Sequence, residues 1–208
     1  MKALLLVDIQ NDFLPGGALE VPSGDAVVPL VNELLPLFSQ VVATQDWHPA
    51  QHLSFASNHA GAKIGDVIDL NGLEQVLWPD HCVQHSKGAA FSDDLNVDAI
   101  QMVFQKGTDM NIDSYSGFFD NGHTKDTGLG DYFHSQGITE VFIVGLATDY
   151  CVKFTALDAV KLGFNTAVIT DATRAVNLHP QDGEIALKDM QQAGVRLITS
   201  ADLKSTIN

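Results

Sequence analysis

The chain has 208 residues, 45% of them hydrophobic, and carries 26 acidic against 11 basic side chains, a formal net charge of −15. This length fits one ordinary domain and this composition is that of a globular protein, so we predict a single domain over residues 1–208. The excess of carboxylates repels phosphate backbones and anionic lipid headgroups. Nucleic acid and membrane surfaces are therefore excluded as expected partners.

The chain contains two cysteines, Cys82 and Cys151, which are too few and too far apart for a disulfide framework. We find no apolar stretch long enough for a membrane helix and no signal-peptide pattern at residues 1–8. A cytoplasmic location is therefore expected. The sequence leaves open whether the protein is a monomer or a homo-oligomer.

Short apolar runs alternate with segments of helical periodicity along most of the chain, a pattern typical of buried parallel strands joined by crossover helices. Strands are predicted over residues 3–8, 41–46, 100–106, 141–145, 166–171 and 196–199. Helices are predicted after Ser23-Gly24-Asp25, with apolar positions from Val27 to Phe38, and over residues 126–135, 148–162 and 181–193. We therefore predict a three-layer α/β/α fold with a six-stranded parallel sheet.

The interval at about 47–98 breaks this alternation. It holds five of the eight histidines and both tryptophans, with little periodicity. A connection of this length in a compact domain is usually functional, because ordinary connections have about 4–6 residues. We expect this region to carry a metal site.

Polar residues follow the predicted strands at the points where the strands end. Asp8, Asp46 and Lys106 close three of them, and Asp171 closes a later one. The carboxyl ends of parallel strands meet at one edge of the sheet, where ligands bind, so these side chains are expected to share a cleft. Asp171 also has a simpler interpretation as a capping residue. A lysine at the end of an apolar strand needs a carboxylate nearby, because burying an unpaired ammonium is costly.

Cys151 is predicted to be a nucleophile. It follows a strand-to-helix turn, G-L-A-T-D-Y-C over residues 145–151. Free N–H groups at a helix N-terminus favour a thiolate, and they also bind a developing oxyanion. Cys82 is more simply interpreted as an inert core residue.

Asp46, His48 and His81 are candidate metal ligands. The tracts D-W-H-P at residues 46–49 and W-P-D-H-C at residues 78–82 supply one carboxylate and two imidazoles. Three ligands of this kind with open positions suit a catalytic or substrate-orienting divalent ion.

These motifs together resemble the nicotinamidases of the isochorismatase-like cysteine hydrolase superfamily. The resemblance runs nearly end to end, and the tracts that carry it are L-V-D-I-Q-N-D-F (6–13), T-Q-D-W-H-P-A-Q-H-L-S-F-A (44–56), L-W-P-D-H-C-V (77–83), Q-K-G (105–107), D-S-Y-S-G-F (113–118) and G-L-A-T-D-Y-C-V (145–152). It implies an amidohydrolase that converts nicotinamide to nicotinate and ammonia in NAD salvage, and that also accepts pyrazinamide.

By this resemblance, Asp8, Lys106 and Cys151 form a catalytic triad. Cys151 attacks the carboxamide carbon to form a thioester, and Asp8 serves as the acid and base. Lys106 is expected to keep Asp8 ionised and to lower the pKa of the thiol. Backbone N–H groups of Ala147 and Cys151 form the oxyanion hole, with a cis peptide bond before Ala147.

The resemblance also implies that Asp46, His48 and His81 hold one divalent ion, with zinc favoured over iron or manganese, whose open position takes the pyridine nitrogen. Phe13, Trp78 and Tyr115 match positions that contact the flat ring. Either His52, at a spacing that differs from that of relatives with a fourth histidine ligand, or water completes the metal shell. Tyr150 stands where some relatives have histidine.

Two alternatives remain open at this point. The chain could be a sibling hydrolase that acts on another small amide or, as in the isochorismatase branch, on a vinyl ether. That branch typically lacks the nucleophilic cysteine and the metal tract. A non-enzymatic ligand carrier with the same doubly wound fold is the third interpretation.

Overall fold

A six-stranded parallel sheet forms the centre of the computed structural model, which describes residues 1–207. The strands are β1 (Lys2–Val7), β2 (Val41–Asp46), β3 (Val67–Leu70), β4 (Leu73–Val76), β5 (Met102–Lys106), β6 (Glu140–Leu146), β7 (Asn165–Arg174) and β8 (Arg196–Ile198). The helices are α1 (Val27–Leu34), α2 (Leu129–Ser135), α3 (Lys153–Lys161), α4 (Asp182–Gln192) and α5 (Ser200–Ile207). The sheet order is β5-β2-β1-β6-β7-β8, and every neighbouring pair is parallel, which confirms the predicted fold class.

Helices cover both faces of the sheet, and β1 shows how the sequence divides the core. Leu4 and Leu6 pack on the face that carries α1 and α5, whereas Leu5 and Val7 pack on the face that carries α2, α3 and α4. All four side chains are fully buried. Successive side chains of a strand point to opposite faces, so a strand covered on both sides is apolar at every position.

The chain order reverses between β1 and β6, the two central strands. β1 pairs with β2 on one side and with β6 on the other. This arrangement opens a crevice at the carboxyl ends of these strands, which is where doubly wound sheets bind ligands. Gly145 in β6 permits the close approach of β1 at this point, because a Cβ there would lie 2.0 Å from the Val7 carbonyl oxygen.

Two elements were absent from the prediction. The region between β2 and β5 contains a small antiparallel hairpin of β3 and β4, and the C-terminal residues form α5. The hairpin strands have four residues each, which is too short for a clear alternation.

The predicted end of one strand at Asp171 was wrong, because β7 continues to Arg174. The Asp171 carboxylate accepts hydrogen bonds from the backbone N–H (2.8 Å) and the hydroxyl (2.6 Å) of Ser200, at the start of α5. Asp171 is therefore a capping residue. The predicted helix over 126–135 starts only at Leu129, after Gly128 in a left-handed conformation.

Within residues 1–207, no helix combines the length and the apolar composition that a membrane span needs.

Replacing Leu5 by alanine is expected to lower the free energy of unfolding by about 3 kcal/mol, because the side chain is completely buried and leaves a cavity in the core. Leu178→Ala is the matched control, since Leu178 is 43% exposed. Urea unfolding of both variants measures the difference. Equal losses in the two variants would contradict this account of the core.

Candidate active site

The ammonium of Lys106 lies at the centre of a buried cluster at the carboxyl ends of β1, β2 and β5. Its Nζ is 2.8 Å from Asp8 Oδ2 and 2.5 Å from Asp46 Oδ1. It also donates to the Ser114 carbonyl oxygen at 3.0 Å and lies 3.4 Å from the sulfur of Cys151. The structure thus brings together the three predicted triad residues and one predicted metal ligand.

Asp8 occupies the first position after β1, where the backbone turns into a left-handed conformation with φ of +49°. Its other carboxylate oxygen accepts a hydrogen bond of 2.6 Å from the Thr44 hydroxyl. Non-glycine residues seldom adopt this conformation, but aspartate is among those that do so more readily. The turn directs the carboxylate toward Lys106 and Cys151.

The two carboxylates beside Lys106 have opposite pKa shifts. Burial raises the pKa of Asp8 above its usual value, and Lys106 offsets this only in part. Asp46 is also buried, but Lys106 and the neighbouring His48 hold its pKa well below the usual range. Asp46 is therefore the permanently ionised partner, whereas Asp8 is the one poised to exchange a proton.

Cys151 lies in a turn that links β6 to α3. The peptide bond Leu146–Ala147 is cis, as the resemblance implies, and residues 148–152 form a single π-helical turn. The sulfur of Cys151 and one oxygen each of Asp8 and Asp46 lie within 4.8 Å of one another. This geometry places the thiol within reach of Asp8.

Burial raises the pKa of the Cys151 thiol well above its usual value, and the carboxylates of Asp8 and Asp46 add to this rise, whereas Lys106 lowers it as expected. The net shift is therefore upward, and the expected net lowering was wrong. The resting thiol is therefore neutral. It requires a base to remove its proton, and Asp8 with its raised pKa is suited to this role.

Asp46, His48 and His81 form a second group around the other oxygen of Asp46. Its Oδ2 lies 3.6 Å from His48 Nε2 and 3.8 Å from His81 Nε2. The Nδ1 atoms of the two rings are bonded to the carbonyl oxygens of Gly107 (2.9 Å) and Pro79 (2.8 Å). These bonds leave both Nε2 atoms facing Asp46.

The donor set fits a divalent ion. His48 Nε2 is fully buried and has no hydrogen-bond partner among the described residues. Burial, followed by the proximity of His48, lowers the pKa of His81 to about 4, so this imidazole is neutral, as a ligand must be. Gly107 makes room for the His48 ring, because a Cβ there would lie 2.3 Å from it.

His52 lies beside this group but faces a different set of residues. One ring nitrogen of His52 lies within 4.8 Å of a ring nitrogen of His48 and a carboxylate oxygen of Asp113. His52 does not belong to the set of candidate metal ligands formed by Asp46, His48 and His81. Its Nδ1 contacts the Ser54 hydroxyl at 2.7 Å and accepts from the Ser54 N–H at 3.2 Å. In His48 and His81 the Nδ1 atom is hydrogen-bonded to a backbone carbonyl oxygen, whereas in His52 it is bonded to Ser54.

Gln10 fixes the backbone of Asp46, and sequence reasoning gave it no role. Its Oε1 accepts from the Asp46 N–H and its Nε2 donates to the Asp46 carbonyl oxygen, both at 2.8 Å. The same Nε2 donates to the Ala89 carbonyl oxygen at 2.8 Å. The signal available in the sequence was a polar residue three positions after an apolar strand, with the apolar Ile9 just before it.

A small cleft opens onto both groups. It is lined mainly by aromatic and aliphatic side chains around a few polar atoms, which is typical of small-molecule sites. Its lining contains all three predicted ring contacts, Phe13, Trp78 and Tyr115. It also contains Asp46, His81 and Cys151, and in addition Leu19, Asp113, Tyr150 and Val176. Leu19, Asp113 and Val176 were not predicted.

The comparisons with known proteins agree with this geometry. Residues 2–202 match the isochorismatase domain model. A nicotinamidase of Escherichia coli is 51% identical to this chain over 209 residues, which cover 99% of this chain and 98% of the relative. The chain belongs to the nicotinamidase family. The family consists of amide hydrolases with the isochorismatase fold.

Two solved structures extend the comparison. A nicotinamidase and pyrazinamidase from Acinetobacter superimposes with a TM-score of 0.95 at 48% identity, covering 97% of each chain. A pyrazinamidase of Pyrococcus horikoshii, solved in complex with zinc, superimposes with a TM-score of 0.78 at 39% identity, covering 95% of this chain and 98% of the other. Membership of the nicotinamidase family excludes the interpretation as a simple ligand carrier.

Lys106→Met is expected to lower the free energy of unfolding of the metal-free protein by about 3–5 kcal/mol at pH 7, because two buried carboxylates lose the ammonium between them. Without this cation the folded-state pKa of Asp46 rises above its unfolded value, and that of Asp8, already raised by burial, rises further. The folded variant then binds protons more strongly than the unfolded chain, so its deficit shrinks as the pH falls from about 7 to about 5.

Urea unfolding across this pH range measures the deficit. Lys161→Met is the control, since the Lys161 side chain is 67% exposed and pairs with Asp158 at 3.0 Å. Its deficit should stay below about 1 kcal/mol. A Lys106→Met deficit that does not change with pH would contradict the assignment.

Proposed function

We propose that this protein hydrolyses nicotinamide to nicotinate and ammonia through a thioester on Cys151. The observation that carries the proposal is the position of Cys151 in one cavity with Asp46 and His81 and beside Asp8 and Lys106. The identity of 51% to a nicotinamidase over nearly the whole chain supports the choice of substrate. The reaction belongs to the salvage of NAD.

Acylation begins with proton transfer from the Cys151 thiol to Asp8. The sulfur attacks the carboxamide carbon, and the carbonyl oxygen becomes an oxyanion that accepts hydrogen bonds from the backbone N–H groups of Ala147 and Cys151. The tetrahedral intermediate collapses when Asp8 returns the proton to the leaving nitrogen. Ammonia departs, and the nicotinoyl group remains on the sulfur as a thioester.

Deacylation uses the same residues in reverse. Asp8 removes a proton from water while the oxygen adds to the thioester carbon. The second tetrahedral intermediate expels the sulfur, which recovers its proton from Asp8, and the nicotinic acid formed loses its carboxyl proton to solvent and is released as nicotinate. Lys106 remains protonated throughout, because burial lowers its pKa less than Asp46 and Asp8 raise it. Its charge stabilises the ionised states of Asp8 and Cys151, the two neighbours that exchange a proton.

Asp46, His48 and His81 are proposed to hold one divalent ion, and zinc is the first candidate because a related pyrazinamidase was solved with it. With an ion bound, these three residues would present a Lewis acid to a ring nitrogen, which would align the substrate. A ring nitrogen in the meta position to the carboxamide is what distinguishes nicotinamide from benzamide. His52 is proposed to lie outside the ligand set, with water completing it.

Phe13, Trp78 and Tyr115 are proposed to contact the substrate ring. Phe13 and Trp78 are almost fully buried, and Tyr115 lies in contact with both Trp78 and Tyr150. A narrow aromatic pocket suits a planar ligand. Pyrazinamide has the same shape and a nitrogen in the same position, so we propose it as a second substrate.

The cytoplasm is the proposed location. Cys82 and Cys151 are both free, and a thiol nucleophile requires a reducing compartment. The small molecule nicotinamide is the proposed partner, and the number of subunits stays open.

The purified protein is expected to release equimolar ammonia and nicotinate from nicotinamide, measured by an enzyme-coupled ammonia assay and by chromatography. Cys151→Ala removes the nucleophile and should lower kcat by at least about 10⁴-fold. Asp8→Asn removes the base and should cause a similar loss. Wild-type activity no higher than that of Cys151→Ala would refute the proposed function.

Removal of the ion by a chelator is expected to raise KM for nicotinamide more than it lowers kcat, because the ion aligns the substrate. Zinc should restore activity. His81→Ala should weaken zinc affinity by at least about tenfold in a calorimetric titration, since one of three protein ligands is lost. His179→Ala, at a site whose side chain is 86% exposed, serves as the control. Wild-type protein that binds no divalent ion would refute the metal assignment.

A further inference from the structure

We infer that Gln75 is a positioning residue for substrate binding, and that the β3–β4 hairpin places the Gln75 carboxamide beside the active site. This inference rests on the proposed function. Gln75 lies in β4 and is 2% exposed. It does not line the cavity itself, but two residues that do line it, Asp113 and Tyr115, accept hydrogen bonds from its side chain.

The hairpin packs against the site through a polar group. Of its eight strand residues, only Leu70 and Gln75 are buried, and Gln75 is the more completely buried of the two. Val67 is 56% exposed. A hairpin held only by apolar packing would bury an apolar side chain at position 75. A fully buried carboxamide instead indicates that hydrogen bonds determine what this position contacts.

The amide nitrogen of Gln75 has three acceptors. It donates to the Val76 carbonyl oxygen at 2.7 Å, to Asp113 Oδ2 at 3.1 Å and to the Tyr115 hydroxyl at 3.2 Å. With two hydrogens for three acceptors, one hydrogen is shared. The nitrogen thereby links a carboxylate and a phenol that belong to the same wall of the cavity.

Tyr115 is fixed by two donors at once. Its oxygen accepts from Gln75 Nε2 and from Trp78 Nε1, each at 3.2 Å. Two donors occupy both lone pairs of a phenol oxygen, so the ring cannot swing without breaking a bond to one neighbour. The Tyr115 and Trp78 rings, both proposed contacts of the substrate, are therefore locked to each other and to the hairpin.

Asp113 depends on the same nitrogen. One of its oxygens accepts from the Ser114 N–H at 2.7 Å, and the other accepts from Gln75. Asp113 is 4% exposed and faces His48 and His52. Losing a donor to a buried carboxylate is costly, so the carboxylate would rotate or draw in water if Gln75 could not donate.

The expected consequence falls on binding rather than on chemistry. Gln75 makes no hydrogen bond to the triad residues, but it fixes Asp113 and Tyr115 in the cavity wall that is proposed to contact the substrate ring. Uniform loss of ring contacts raises KM and leaves kcat nearly unchanged. A merely structural residue would instead lower the melting temperature and leave KM unchanged.

Two substitutions test the inference in the metal-loaded protein. Gln75→Met keeps the length of the side chain but removes the donor. Gln75→Glu keeps the shape and places a carboxylate against Asp113. The control is Gln192→Glu, the same chemical change at an exposed position of α4. Steady-state kinetics with nicotinamide at pH 8 and pH 5.5, and thermal unfolding, are recorded for each variant and divided by the wild-type value at the same pH.

We expect Gln75→Met to raise KM about tenfold at both pH values, with kcat within about threefold of wild type. Gln75→Glu should raise KM at least as much at pH 8 but less at pH 5.5, because burial beside Asp113 raises the pKa of the new carboxyl group and its protonated form can donate again. Gln192→Glu should match wild type.

The inference is overturned if Gln75→Met leaves KM unchanged, or if it lowers kcat and leaves KM alone. If Gln75→Glu does not fold, Gln75→Met still decides the matter. Wild-type hydrolysis of nicotinamide tests the proposed function by itself, whereas the ratio of variant to wild-type KM tests the role of Gln75. The two failures are therefore distinguishable.

Discussion

The burial of one ammonium determines the arrangement of the site. Lys106 lies out of contact with solvent at the end of β5, where an unpaired cation would be prohibitively costly. It is stabilised only because Asp8 and Asp46 arrive at the same point from β1 and β2. The three side chains lie together because β5, β2 and β1 are adjacent in the sheet, and adjacent parallel strands end at the same edge. The rest of the active site is assembled around this ion triplet.

Asp46 joins the two halves of the site because its two oxygens serve different partners. One oxygen contacts Lys106 and thus the neighbourhood of the thiol, while the other faces His48 and His81. Asp46, one of the three candidate metal ligands, is therefore also part of the electrostatic surroundings of Cys151. Gln10 holds the backbone of this residue at both its N–H and its carbonyl group, so the position of both halves depends on one side chain.

Much of this arrangement was predictable from the sequence, because apolar strands followed at once by Asp8, Asp46 and Lys106 leave few alternatives for where those side chains meet. The six parallel strands followed from the same runs. The hairpin, α5 and the capping role of Asp171 were not predictable, since short elements carry weak periodicity and a capping partner 29 residues away leaves no local pattern. The net pKa shift of Cys151 was mispredicted because a helix N-terminus and a lysine are visible in the sequence, whereas complete burial is not.

The acidity of the protein takes on a local meaning when the formal charges in the pocket are compared. Asp8, Asp46 and Asp113 converge on a small volume in which Lys106 supplies one positive charge. Two negative charges then remain formally unbalanced, and a single divalent cation neutralises them, whereas a monovalent one does not. A neutral amide enters such a balanced site without an electrostatic penalty, whereas hydrolysis converts it to an anion that leaves the site with one surplus negative charge. The charge distribution that suits a divalent ion would therefore also favour the departure of the product.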